Sequence, residues 1–301
     1  PRYRVEDSLE RLGLSEVLVS EEDDALASVC TRYGVSVSTR PSWMFHADEG
    51  VAQLSKQYGV STVEGFGLTP EDSRVCAAGA LLAYIKQTQP DDDASLHHLR
   101  IPTIHTDSSF VTLDATTIRS LEIEQTIRTG SVEGSLLWVM QRCKTAMGKR
   151  LLRNWLCNPL AQLDMIQERQ KIVTAFVEES AMLRNTQEIL QNVQDIARIT
   201  GRLSMGRVTP RDIVTLGTSI RVCGELSDSL SAPNASGIKN KIDTLKTTLL
   251  PLAEHIQTQC VDSPPAHMRS GGFFRDGVDD ELDDAKRLQK DAGSWLSAYQ
   301  Q

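Results

Sequence analysis

Aromatic side chains are scarce in this chain, at 5% of its 301 residues. Its cores must therefore be built mainly from Leu, Ile, Val and Ala, which suits helix-on-helix packing. Long apolar runs are missing too. None approaches the roughly 18 residues needed to cross a bilayer as a helix. The N-terminus shows no basic-then-apolar signal segment. A membrane is therefore not an expected partner, and a cytoplasmic location is. Cysteine is sparse and scattered: Cys30, Cys76, Cys143, Cys157, Cys223 and Cys260 form no C-x-x-C pair. That spacing argues against a zinc site and for free, mostly buried thiols in a reducing compartment. Cations are outnumbered, with 32 Lys and Arg against 40 Asp and Glu and a net charge of −8. Phosphate binding needs clustered Lys and Arg, so this chain is not expected to coat nucleic acid by itself.

The length suggests about two domains at roughly 100–200 residues each. In the first hundred residues helices alternate with short strands. Residues 4–13 read as a small amphipathic helix with Val5, Leu9 and Leu12 inward. Strands are expected near Glu16–Val19 and Val35–Thr39, with helices over 21–34, 47–58 and 72–89. The 47–58 helix should stop at Gly59, and the 72–89 helix is rich in small residues, as close packing requires. Alternation of this kind implies an α/β layer with parallel pairing. Pro90 through Ser95, carrying Asp91, Asp92 and Asp93, reads as the linker.

Beyond the linker the pattern is helical. Phe110 to Leu113 favours a strand. Leu136, Met140, Cys143, Met147 and Leu151 then recur at helical spacing and predict a buried stripe. Thr145 can cap a fresh helix, Gly148 suggests that another backbone approaches closely, and Asn158–Pro159 ends the helix. Over 163–180 the expected inward face is Ile166, Ile172, Val173, Phe176 and Val177. Thr209–Pro210–Arg211–Asp212 forms a helix start: threonine caps, proline fits the first position and the acid completes a box. A Leu-rich helix over 238–260 is expected to be interrupted at Pro251. In the last helix Val278, Leu282, Ala285, Ala292, Trp295 and Tyr299 are expected to be buried, with Asp283 pairing Arg287 on the outer face.

Three blocks of this sequence resemble the bacterial MutS mismatch-repair proteins. The first is Leu113–Asp114–Ala115–Thr116, Ser120–Leu121–Glu122–Ile123, Gly130, and Ala146–Met147–Gly148–Lys149–Arg150 through Trp155–Leu156 and Pro159. It is similar to the opening of their core, or lever, domain, although proline is common there at position 146. The second is Asp195–Ile196…Arg198–Ile199 with Gly206–Arg207–Val208–Thr209–Pro210–Arg211–Asp212–Ile213, and the third is Phe274 through Asp283. Upstream, Pro41, Trp43 and Phe45, Gly65–Phe66–Gly67 and Ala77–Ala78–Gly79 through Tyr84 resemble the MutS connector domain.

The resemblance implies an α+β chain: a partial RNase H-like connector over 1–103, then an all-α core over 104–301. It also implies that the chain starts part-way through the connector and stops before the clamp. Its work would be structural, joining a mismatch-reading end to an ATP-hydrolysing end. For the full-length protein the resemblance implies ATP and Mg²⁺ as cofactors, duplex DNA with mismatches and MutL as partners, and a homodimer. The piece itself is expected to be monomeric, to hold no cofactor or metal and to catalyse nothing. Gly65, Phe66 and Gly67, with the 72–89 helix, are the expected MutL-docking residues. Asp114, Met147, Gly148, Arg150, Trp155, Pro159, Pro210, Arg211 and Asp212 are expected to shape the structural junctions.

Other readings are weaker. Gly148–Lys149 is not a phosphate loop, because Arg150 replaces the required Ser or Thr and no glycine lies five residues upstream. Phe176–Val177–Glu178 matches the F-x-E of a mismatch reader, but Phe176 falls on an apolar helix face. His97, His98 and His105 show no ligand spacing. Glu21–Glu22–Asp23–Asp24 share a helix start instead of converging from strand ends, so a two-metal nuclease is disfavoured. An autonomous helical scaffold without a DNA role is the alternative, and it must treat all three blocks as chance.

Overall fold

The computed structural model describes residues 5–6, 8–9, 13–88, 96, 99, 101–102, 104 and 110–299. In the last helix it describes side chains through 289 and at 291–292. Residues 1–142 with 149–166 form one compact unit, and 143–148 with 167–301 form another. Pro90 to Ser95, His97, His98, His105, Leu12 and the side chains of Trp295 and Tyr299 lie outside what is described.

In the first unit, β1 (Glu16–Ser20) and β2 (Ser36–Arg40) pair in parallel, with Glu16 opposite Ser36 and Ser20 opposite Arg40. Helix α1 (Asp24–Arg32) makes the crossover, started by Asp23, whose carboxylate accepts from the Leu26 N–H at 2.9 Å. Cys30 and Val35 bury beneath it with Leu9. Val5, expected inward, is 37% exposed. After a 3₁₀ turn (Ser42–Phe45) come α2 (Ala47–Tyr58), ended by Gly59 at φ +64°, a second 3₁₀ turn (Glu64–Phe66) and α3 (Ser73–Thr88).

Helices α2 and α3 approach unusually closely. A Cβ built on Gly79 would sit 2.3 Å from the Gly50 Cα, and one on Gly50 would sit 2.6 Å from the Val75 carbonyl oxygen. Only two glycines permit backbones this near. Their contact brings Leu54, Val63, Leu68, Val75, Leu82 and Leu96 into one buried cluster.

Two short helices, α4 (Ala115–Ser120) and α5 (Leu136–Met140), follow, then α6 (Ala146–Cys157). The expected strand at 110–113 is reduced to one antiparallel bridge, Phe110 to Leu160, with the Val111 N–H donating to the Pro159 carbonyl at 2.8 Å. The buried stripe from Leu136 to Leu151 is also corrected. Leu136, Met140 and Leu151 are 43%, 49% and 50% exposed. α5 is barely more than one turn and the chain breaks before α6, so the periodicity never becomes a single face.

From residue 167 onward the second unit holds the rest of α7 (Leu163–Glu178), then α8 (Ser180–Gln191), α9 (Ile196–Ser204), α10 (Pro210–Ser229), a 3₁₀ turn (Pro233–Ala235), α11 (Ser236–Gln259) and α12 (Asp280–Tyr299). Ala175 and Met182 pack with Leu230, Ala232 and Ala235, joined by Phe176. Val173 and Val177 point outward at 57% and 72% exposure, so the inner face of α7 is rotated from the expected one towards Ala175. α10 and α11 pack antiparallel: Ser227 meets Asp243, Gly224 meets Lys246, and Gly217 meets Ile256. α11 runs through Pro251 without interruption.

In α12 the expected buried stripe is absent at Ala285 and Ala292, which are exposed. The expected Asp283–Arg287 pair is replaced by Arg287 with Asp284 and by Lys286 with Asp276 at 2.8 Å. Asp283 instead accepts from the Gly277 N–H at 2.6 Å, holding the turn before the helix. Among the described residues no helix is long and apolar enough to cross a membrane, and no group of three or more His, Cys, Asp or Glu could hold a metal ion.

Candidate functional site

The loop at Gly65–Phe66–Gly67 is built by a single 3₁₀ turn that closes on Gly67 at φ +73°. Its residues divide by role. Phe66 turns inward and meets Tyr58 edge-on, with ring centroids 5.5 Å apart and planes at 74°. It packs against the Leu54–Leu82 cluster and plugs it. Gly65 is exposed, its Cβ position meets nothing within 4 Å, and Glu64 beside it is exposed as well. A partner at this loop would therefore read Glu64 and the Gly65 backbone, with Phe66 holding them from beneath.

Next to the loop, Asp72 starts α3. Its carboxylate accepts from the Arg74 backbone N–H at 2.9 Å and from the Arg74 guanidinium, which holds its pKa down at about 2. Further along the helix, Leu81 is 50% exposed, and Trp43 of the preceding 3₁₀ turn is 51% exposed.

The first junction begins at Asp114, which caps α4 by accepting from the Thr117 N–H at 2.6 Å. Glu122 adopts φ +49°, unusual for a residue with a side chain, and its carboxylate accepts from the Ile127 N–H at 2.6 Å. This pins the loop that leads to α5. The backbone of the same segment receives α5: Leu136 N–H donates to Glu122 and Leu137 N–H to Ile123. Ser135, fully buried, caps α5 by accepting from the Trp138 N–H at 3.2 Å.

On α6, Met147 is half-buried and Arg150 is exposed. Trp155, one of the expected junction residues, is 38% exposed, and α6 buries none of its residues. Gly148 does not meet another backbone. Its Cβ position lies 3.0 Å from the Thr145 hydroxyl, which accepts from the Gly148 N–H as the cap of the helix. Pro159 ends the segment by supplying the carbonyl that Val111 binds.

The second junction is the root of α10. Thr209 Oγ1 accepts from the Asp212 N–H at 3.2 Å, and the Asp212 carboxylate accepts from the Thr209 N–H at 3.0 Å. Pro210 fills the first helical position and is fully buried. Arg202 of α9 reaches the same carboxylate with two bonds, Nε at 3.1 Å and Nη2 at 2.5 Å. This fork holds the Asp212 pKa at about 2. Arg211 donates to the Pro264 carbonyl at 3.3 Å. The capping box was legible in sequence. The Arg202 fork was not, because a partner ten residues upstream carries no local signal.

The arrangement is a set of capped helix starts around long packed helices. Two family models match the chain: MutS domain II over residues 2–100 and MutS domain III over residues 116–300. The chain belongs to the MutS family. Curated relatives include the DNA mismatch repair protein MutS of Rhodopirellula baltica, 35% identical over 302 residues, covering 100% of this chain and 33% of that protein. MutS of Trichormus variabilis is 32% identical, with 98% of this chain and 35% of that protein covered. MutS of Synechococcus sp. RCC307 is 33% identical, with 89% and 30% covered. The chain spans about one third of the length of these relatives.

The domain II match thus takes in the α/β layer with its exposed Gly65 loop, and the domain III match takes in the helical array with both junctions. The family models leave residues 101–115 between them. The division into compact units falls later, because Phe110 and Val111 are tied to Leu160 and Pro159.

Proposed function

We propose that this chain is the connector and lever portion of a MutS-type mismatch sensor, passing conformational state between a DNA-reading end and an ATP-hydrolysing end. One observation carries the reading. α10 and α11, of 20 and 24 residues, form an antiparallel pair whose root is fixed by Thr209, Asp212 and Arg202. At 1.5 Å per residue such a pair is a stiff beam roughly 30 Å long, and packed elements of this kind carry coupling when they have two arrangements. The partners in this reading are mismatched duplex DNA, a second copy of a full-length chain, and MutL, which docks at Gly65–Phe66–Gly67 and α3.

ATP and Mg²⁺ belong to the assembled sensor in this reading, and the Gly148–Lys149–Arg150 segment does not fit them. The Gly148 N–H is already bonded to Thr145, and Arg150 stands where a metal-binding hydroxyl would be needed. The connector is assigned to 1–103 and the core to 104–301.

Two experiments test this. Spliced into a MutS of family length in place of the matching third, the chain should support mismatch-stimulated ATP turnover. Asp212→Ala should then lower the stimulation while leaving basal turnover in place. Unchanged stimulation, with hydrogen exchange showing a loosened α10 root, would end the lever reading. For docking, Gly65→Arg has open space to enter and should keep the fold while abolishing MutL binding to the immobilised chain. Retained binding would move the docking surface elsewhere.

A further inference from the structure

Helix α4 and the loop that follows it line a cavity of about 510 Å³ that opens to solvent. That volume falls within the roughly 300–1,000 Å³ of small-molecule sites. Ile118, only 7% exposed, supplies a buried apolar wall, and Ile127, 64% exposed, stands where the cavity meets water.

The loop side of the cavity is fixed without a ligand. The Thr126 N–H donates to the Ser131 carbonyl and the Gly130 N–H to the Thr126 carbonyl, each at 2.9 Å. The Thr126 and Thr129 hydroxyls lie 2.6 Å apart, and the Thr129 and Ser131 hydroxyls 2.9 Å apart. Glu122, at φ +49°, holds the Ile127 N–H with its carboxylate at 2.6 Å. Left-handed backbone at a residue with a side chain persists only where its surroundings impose it, and such positions gather at ligand clamps. A loop already ordered in this way loses little further freedom on binding.

The charges that line the cavity are unequal. Glu124 is engaged by Arg153 of α6, which lies outside the lining. Arg119 and Gln125 also line it, and among the described residues neither side chain has a hydrogen-bond or ion-pair partner. A guanidinium offers five N–H donors and no acceptor, and its fork matches the paired oxygens of a carboxylate or phosphate. The unsatisfied groups are thus donors for an anion, set beside an apolar wall.

We propose that this cavity binds a small organic anion, an apolar body carrying one carboxylate or phosphate group. The anionic group meets Arg119 and Gln125, and the body lies against Ile118 and Ile127. Arg153 acts from outside the site. By holding Glu124 it keeps a bare negative charge from opposing the ligand.

The test uses the whole 301-residue chain and three probes of one shape: 1-naphthylacetate, 1-naphthyl phosphate and the neutral 1-naphthylacetamide. Isothermal titration reads affinity, and hydrogen exchange reads the place. At least one anion should saturate a single site and slow exchange over 115–131. The acetamide should bind at least about tenfold more weakly, since it forfeits a charge-assisted hydrogen bond. The tighter of the two anions identifies the ligand as a carboxylate or a phosphate monoester. Arg119→Gln should weaken the anion about tenfold and leave the acetamide within twofold. Arg153→Gln should weaken the anion several-fold, because it uncovers Glu124. Arg119 and Arg153 are both exposed, so the variants should keep the parent circular dichroism. Acetamide binding as tight as that of both anions, or an anion indifferent to Arg119→Gln, would overturn the proposal. So would the absence of saturation by any probe at millimolar concentration. Displacement of the anion by a short DNA duplex, with equal protection of 115–131, would also overturn it by assigning the cations to a nucleic-acid backbone.

Discussion

Replacing Gly79 by alanine tests the closest contact in the chain. The new Cβ would lie 2.3 Å from the Gly50 Cα and 3.2 Å from its nitrogen. Ordinary contact begins more than an ångström further out, and the obstacle is backbone, which cannot rotate away. α2 and α3 must therefore separate, loosening the cluster of Leu54, Val75 and Leu82 between them. Overpacking of this kind costs typically 1–3 kcal/mol. A rigid obstacle puts Gly79→Ala near the top of that range, against about 1 kcal/mol returned by alanine's better helix propensity. A net loss of about 2 kcal/mol should accelerate exchange of the most protected amides in 47–58 and 73–88 roughly 30-fold, at about 1.4 kcal/mol per tenfold.

Hydrogen exchange read peptide by peptide is the right assay, because two compact units need not unfold as one transition. Peptides from α10 and α11 serve as the internal reference. Gly201→Ala is the control: its Cβ position in α9 meets nothing within 4 Å, so it should stabilise by about 0.5–1 kcal/mol. If Gly79→Ala left protection of α2 and α3 within threefold of the parent, the close-approach argument would be wrong.

The Asp212 carboxylate, held at about 2 in the fold, contributes stability that is present above its unfolded value near 4 and lost as pH falls through about 2. Asp212→Asn should remove that part of the acid dependence between pH 4 and 2 and cost about 1–2 kcal/mol at neutral pH, read from urea unfolding of α9 and α10 by exchange. Thr209→Ala should cost about 1 kcal/mol by the loss of the cap alone. Phe66→Ala should destabilise the domain II region by about 2 kcal/mol, since a half-buried phenylalanine loses part of the usual core penalty; unchanged protection of Tyr58 and Val63 would show that the ring is not a plug. The purified chain should show no ATP turnover above a heat-treated blank, and turnover removed by Lys149→Ala would reinstate Gly148–Lys149 as a nucleotide site.

The elements were largely legible because their signals are local. Thr145 and Thr209 announce helix starts through a side-chain oxygen that reaches an N–H three residues ahead, and Gly59 announces a stop through its positive φ. The family resemblance was legible for the same reason, since its blocks are runs of residues at fixed spacing. The MutL-docking assignment of Gly65–Phe66–Gly67 rests on resemblance alone, although only the fold shows that Phe66 turns inward while Gly65 stays open.

Faces were harder. Periodicity ranks residues around a helix but does not say which side meets a neighbour. Val173 and Val177 therefore point outward, Leu151 and Trp155 are exposed, and the small Ala175 is the buried centre of α7. Long-range partners carry no local trace at all: Asp283 holds Gly277, Arg202 grips Asp212, and Gly50 meets Gly79 across 29 residues. The sequence by itself determined the capped helix start at Thr209, the stop at Gly59 and the family, because caps and motifs act over a few residues. Only the tertiary structure decided which faces are buried and which charges pair, because those choices depend on backbones brought together from distant parts of the chain.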